Sequence, residues 1–206
     1  MSLQGKRIFI TGGSRGIGLA IALRAARDGA SVAIAAKTAE PNPKLPGTIH
    51  SAAEEIRAAG GTALPIQCDL RDETQIEAAV AQAAEAFGGI DILINNAGTL
   101  GDVPKQKIGS LDQTEFLAVI NANTFGALKV SEAFKPHLLA GKTRKVFGMS
   151  SGLGSSAQTA RRGDFYGYRA SKAALNVSFR ALAADWRGEG IMVGIIAPGM
   201  VETDLL

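Results

Sequence analysis

The chain has 206 residues, 46% of them hydrophobic and 20% charged, with a formal net charge of +3. That length suits one domain, or one and a half, with ample apolar material for a core, so intrinsic disorder is excluded. The mild charge by itself implies neither a nucleic-acid nor a membrane partner, and no window reaches the roughly 18 apolar residues of a membrane span.

In chain order, Arg7 to Ile10 reads as a first strand. Gly16 to Gly29 follows as a helix with Leu19, Ala22, Leu23 and Ala26 on one face. Ser31 to Ala35 is a second strand. Glu40 to Gly47 holds Pro41, Pro43 and Pro46, which remove backbone donors and make it a loop. A second helix is expected from Thr48 to Ala59, a third strand from Ala63 to Gln67, a third helix from Asp72 to Phe87 and a fourth strand from Asp91 to Ile94. A long fourth helix runs from Asp112 to Leu139, with Pro136 placed to bend or end it. Lys145 to Met149, Phe165 to Trp186 and Met192 to Ala197 complete the pattern as strand, helix and strand. Strict alternation of strand and helix predicts an α/β fold, a Rossmann-type doubly wound parallel sheet of six strands with helices on both faces, in a single domain.

The lone Cys68 cannot form an internal disulfide and points to a reducing compartment such as the cytoplasm. Lys6 and Arg7 precede an apolar stretch that Thr11-Gly12-Gly13-Ser14-Arg15 interrupts at once, so it does not read as a signal peptide.

Thr11-Gly12-Gly13-Ser14-Arg15-Gly16-Ile17-Gly18 lies between the first strand and the first helix. A bare backbone there lets a pyrophosphate approach free N–H groups at the helix N-terminus. NAD-selective domains of this kind place an acid about 20 residues further on, at the second strand end. Here that end is Ala35-Ala36-Lys37, and Arg15 adds a second cation on the same side of the crevice. Both suit a 2′-phosphate, so NADP is preferred over NAD, with a solvated Lys37 and Glu40 serving the ribose as the alternative.

Tyr168 and Lys172 stand four apart and share one helical face. A phenol with an unperturbed pKa near 10 is a poor acid–base catalyst at neutral pH. A neighbouring ammonium, helped by the positive nicotinamide of an oxidised cofactor, would bring Tyr168 toward the working range. Cys68, His50 and His137 are too scattered for a metal site, and none is expected.

With Thr11-Gly12-x-x-x-Gly16-x-Gly18, Asn95-Asn96-Ala97-Gly98, Tyr168-Arg169-Ala170-Ser171-Lys172 and Pro198-Gly199 in this order, the chain resembles the classical short-chain dehydrogenase/reductase family throughout its length. The resemblance implies a Tyr168 that donates and accepts the proton and a Lys172 that binds the nicotinamide ribose. It implies a substrate-orienting serine in Met149-Ser150-Ser151, where Ser151 aligns and Ser150 stays open because the spacing to Tyr168 is a few residues long. A fourth catalytic residue, an asparagine holding a relay water, matches Asn123, with Asn121 left on the helix surface. The cofactor would be lined by Gly12, Ser14, Arg15, Gly16, Ile17, Gly18, Lys37, Asp69, Leu70, Asn95, Ala97, Gly98, Tyr168, Lys172, Pro198, Gly199 and Thr203. Within that set Asp69 would meet the adenine and Thr203 the carboxamide.

Ala36 to Ile49 resembles the hydroxysteroid-dehydrogenase-like branch of the family, and Tyr168 to Asn176 its C-factor and sniffer-like branch. The family continues past the threonine with a substrate loop, a helix and a seventh strand, which this sequence is expected to lack. The expected function is hydride transfer between NADP(H) and a small carbonyl or secondary alcohol, with no nucleic-acid or membrane partner. A homodimer is expected through the fourth and fifth helices, where Ala170, Ala173, Ala174, Val177 and Ala181 form a small-residue face; packing of that face on the protein's own sheet is the alternative. A nucleotide-binding regulator or scaffold without chemistry is the competing function. Nucleic-acid binding through Lys142 to Lys145 and Arg161-Arg162 has no interleaved aromatics to support it.

Overall fold

The computed structural model describes residues 2–43, 45–159, 163–199 and 201. Thr203, a proposed cofactor contact, lies outside them, as do Arg161 and Arg162. Among the described residues, six strands form one sheet: β1 (Arg7–Thr11), β2 (Ser31–Ala36), β3 (Thr62–Gln67), β4 (Ile92–Asn95), β5 (Lys145–Met149) and β6 (Met192–Ile196). Their order is β3-β2-β1-β4-β5-β6, and every neighbouring pair is parallel. The order reverses between β1 and β4, and ligands of such sheets bind in the crevice that opens at the strand carboxyl ends there.

The helices are α1 (Gly16–Arg27), α2 (Ile49–Ala58), α3 (Glu73–Phe87), α4 (Gln113–Ile120), α5 (Gly126–Ala140), the short α6 (Ser156–Thr159) and α7 (Tyr166–Asp185). Side chains alternate across each strand, so β1 sends Phe9 to one layer and Ile8 and Ile10 to the other. Phe9, Leu93, Val146, Phe134, Leu175, Phe179 and Trp186 pack in the first layer, under α3, α5 and α7. Ile8, Ile10, Ile34, Ala22, Ala26, Ala53 and Ile56 pack in the second, under α1 and α2. That second layer ends in a groove of about 610 Å³ lined by Ile17, Ile21, Ile92, Ile94, Phe147 and Pro198, and Met192 and Ile196 on β6 are exposed beside it.

Two local features depart from the sequence reading. The long fourth helix is not continuous: α4 passes through a π-helical turn, Asn121–Phe125, into α5. Pro136 neither ends nor stops α5, which runs on to Ala140. Both Pro136 and Glu132, whose carbonyl the proline leaves without its helical donor, are exposed, so water can satisfy that group.

Asp91 sits just before β4 and ties the sheet's lower end together. It accepts from the Arg7 backbone N (3.1 Å), Arg7 Nε (2.9 Å) and the Lys142 N–H (3.0 Å). Burial opposes its ionisation, but these donors outweigh burial and hold its pKa at about 2.

Candidate active site

The glycine loop is shaped by contacts that leave no room for side chains. A Cβ on Gly18 would lie 2.3 Å from the Gly12 carbonyl oxygen, and one on Gly12, whose φ is +66°, would lie 2.8 Å from the Ala97 Cα. Asn96 fastens the loop from behind. Its Nδ2 donates to the carbonyls of Thr11 (3.0 Å) and Gly12 (3.1 Å), while Thr11 Oγ1 accepts from the N–H groups of Asn96 and Ala97 (both 3.0 Å). Gly12 and Gly18 are thus locked to the Asn96-Ala97-Gly98 turn at the sheet's switch point. Arg15 occupies the N-cap of α1 without a side-chain cap bond, so the first-turn N–H groups have no side-chain acceptor. A dinucleotide's phosphates fit this cradle: it is bare, positively polarised and open at the crevice.

Around the adenosine end, Ser14 is buried and its carbonyl lies against Gly47 of the proline-rich loop. Arg15 donates from Nη2 to the Gly47 carbonyl (3.3 Å), and among the described residues its buried Nη1 has no partner. Lys37 is exposed at the end of β2. The Asp69 carboxylate is engaged by Arg71, with Nε to Oδ1 at 2.9 Å, which holds its pKa at about 2 with a smaller contribution from Lys37. Leu70 packs against Gly126 at the head of α5. Pro198 and Gly199 follow β6, with Pro198 beside Ile17 in the apolar groove.

The residues expected to form the reaction centre come from β5, the π-turn and α7. Tyr168 is 7% exposed, and its hydroxyl shares a hydrogen bond with Ser151. Ser150, the alternative serine, is engaged elsewhere, donating to Asn176 Oδ1 at 2.6 Å. Lys172 stands with its Nζ 5.7 Å from the Tyr168 ring centroid and donates to the Met149 carbonyl (2.8 Å). Asn123, not Asn121, faces this centre. Its Oδ1 accepts from Thr99 N (2.8 Å), and its Nδ2 donates to Thr99 O and to Ser171 Oγ (both 2.9 Å). Gly98 leaves space where a Cβ would press on Asn123 Oδ1 (3.1 Å) and Lys172 Nζ (3.5 Å). Asn95 lies deeper, bonded to Ser131.

In the chain by itself, burial sets the electrostatics. Burial pushes the Tyr168 phenol above its ordinary value, and the Ser151 bond only partly offsets this. Burial likewise lowers Lys172 to about 8. Of the small-residue face of α7, Ala173, Val177 and Ala181 are exposed and Ala170 and Ala174 half-buried, while Leu175 and Phe179 fill the core.

Thr11 and Asn96 belong to motifs legible in the sequence, although their role in fastening the glycine loop is seen only in the structure. Thr99, Gln106 and Asn176 become visible only through their partners.

The sequence pattern of the short chain dehydrogenase family matches residues 6–206. Hydroxysteroid dehydrogenase-like protein 2 of Bos taurus is 43% identical over 192 residues, covering 91% of this chain and 44% of that protein. The chain thus spans less than half the length of the curated relatives it matches. Among solved structures, a short chain dehydrogenase from Burkholderia cenocepacia J2315 in complex with NADP superposes with a TM-score of 0.86 at 37% identity, covering 100% of this chain and 78% of its own. The NADH-dependent reductase A1-R′ complexed with NAD superposes with a TM-score of 0.83 at 30% identity, covering 97% and 80%. The glycine cradle at the switch point, the six-stranded order and these matches together establish that this chain belongs to the short chain dehydrogenase family.

Proposed function

We propose that this chain is an NADP(H)-dependent oxidoreductase that interconverts a small carbonyl compound and its secondary alcohol. The reading rests on one observation: Tyr168, bonded to Ser151 and flanked by Lys172, stands at the strand ends beside the glycine cradle. The nicotinamide, when bound, supplies or accepts the hydride. Ser151 and Tyr168 then hold the substrate oxygen by two hydrogen bonds, and Tyr168 Oη gives that oxygen its proton in reduction or takes it in oxidation. Reduction uses Tyr168 with its proton, whereas oxidation uses the phenolate and gains from alkaline conditions. Lys172, as an ammonium, supports negative charge on the phenol, and Asn123 fixes the Thr99 turn against α7.

The preference for NADP is supported by Arg15, whose buried Nη1 is a donor without a partner among the described residues, and by Lys37 at the strand end. The similar structures hold NADP in one case and NAD in the other. A homodimer through α4, α5 and α7 is supported by the exposure of Leu117, Phe125 and Val177. The test is reduction of a carbonyl panel with NADPH and with NADH, comparing the chain with Tyr168→Phe. Loss of turnover in the variant with unchanged NADPH affinity is expected. Wild-type turnover by the variant sinks the reading, and tighter binding of NADH overturns the cofactor preference.

A further inference from the structure

α7 begins in an unusual way for a helix that carries a proposed proton donor. Its N-cap is Phe165, in the left-handed region at φ 49°, and it provides no side-chain cap bond. The orphan N–H groups of a first turn are ordinarily met by a Ser, Thr, Asp or Asn at that position. Here the acceptor comes from another part of the chain. Gln106, the last residue of a 3-10 turn (Val103–Gln106) in the loop after β4, accepts from Tyr168 N at 2.8 Å across 62 positions of sequence.

Gln106 is fully buried, and its Nε2 donates to the Leu100 carbonyl at 2.6 Å. Two glycines make space for the amide: a Cβ on Gly167 would lie 3.0 Å from its Oε1, and one on Gly101 3.0 Å from its Nε2. The contact closes a ring. Leu100 follows Thr99, which Asn123 holds by both its amide atoms. Asn123 also donates to Ser171 Oγ, and Ser171 Oγ donates to the Tyr168 carbonyl at 2.7 Å. The backbone N–H and C=O of Tyr168 are thus both held by side chains, and both holders trace back to the Asn123–Thr99 pair. Removing one member leaves a buried donor without an acceptor and frees one end of the residue.

We propose that Gln106 is a positioning residue for Tyr168, capping α7 from the β4 loop and fixing where the phenol stands relative to Ser151; its effect on turnover rests on the oxidoreductase reading above. Gln106→Met keeps length and apolar volume and offers only a weak thioether acceptor in place of the amide oxygen. Gln106→Glu, neutral in this buried site, keeps an oxygen for Tyr168 N–H and an O–H for the Leu100 carbonyl. The experiment measures kcat, NADPH affinity and amide hydrogen exchange at Tyr168 for both variants and the parent chain. In Gln106→Met, kcat falls roughly ten- to hundredfold, as for a slightly misplaced reacting group, while NADPH affinity holds and the Tyr168 amide exchanges faster. Gln106→Glu restores exchange protection and most of kcat. Unchanged exchange in Gln106→Met, or a loss of kcat matched by a parallel loss of NADPH affinity, overturns the proposal. If the parent chain reduces nothing, the oxidoreductase reading falls by itself, and the exchange comparison still decides the capping bond.

Discussion

Replacing Lys172 with methionine separates what this residue costs the fold from what it contributes to chemistry. Lys172 is 5% exposed, and its ammonium has one hydrogen bond among the described residues, to the Met149 carbonyl. Its pKa drops from 10.5 to about 8 because burial penalises the charged form. At 1.36 kcal/mol per unit, keeping that charge inside costs the folded state roughly 3 kcal/mol. Lys172→Met removes this cost and gives up a charge-assisted hydrogen bond worth about 2 kcal/mol, so the variant is expected to be about 1 kcal/mol more stable near pH 7.

The sign follows from proton counting. Between about pH 8 and 10.5 the unfolded chain holds a proton on this lysine that the folded chain has lost, so wild-type stability rises with pH across that window. The variant lacks this component, and its advantage shrinks and then reverses at the alkaline end. Urea unfolding followed by Trp186 fluorescence at several pH values measures the gap directly. A variant less stable than the parent near neutrality, or a gap that does not change with pH, would refute the reasoning. Turnover in the variant is expected to be lost, a stability gained at the site's expense.

Ser151→Ala is expected to lower turnover by roughly a hundredfold, the lower end for loss of a positioned acid–base partner, with cofactor affinity unchanged. Ser150→Ala removes the bond to Asn176 and costs about 1 kcal/mol of stability with a smaller kinetic effect, so the reverse ranking in steady-state assays would reassign the serine. Asp91, at about 2 in the folded chain against 3.8 for the free group, contributes stability that is present above about pH 4 and lost as the pH falls toward 2. Asp91→Asn should flatten the acid limb of an unfolding curve by about 2 kcal/mol, and an unaltered limb would place the acid sensitivity elsewhere.

The parts of this molecule that were legible in its sequence share a cause: they are written in local pattern. Apolar runs such as Arg7 to Ile10 and Lys145 to Met149 lie within one or two residues of the strands they form, because a strand buried on both faces needs such a run. Gly12, Gly18 and the Tyr168–Lys172 spacing were readable because backbone approach and helix geometry limit which residues can stand there. What stayed hidden depends on partners distant in the chain. Gln106 reads as one more polar residue in a loop until Tyr168, 62 positions later, is seen to need an acceptor. The Asp69 pairing with Arg71 is likewise a matter of geometry that the Asp69 position alone does not announce. The direction of the Tyr168 shift could not be read from Lys172 alone, since it is set by how completely the fold removes water from both.

The π-turn at Asn121–Phe125 constrains how this stretch can change over time. One additional residue per turn offsets everything downstream by about 100° of rotation and 1.5 Å of rise relative to a regular helix. Removing any single residue there would let α4 and α5 fuse into one uninterrupted helix, a locally comfortable outcome. It would also swing Asn123 away from Thr99 and Ser171 and turn the buried stripe of one half off its layer. Side chains in this segment can therefore be exchanged one for another far more readily than their number can change, and a length difference confined to these five positions marks a chain whose reaction centre has been rebuilt.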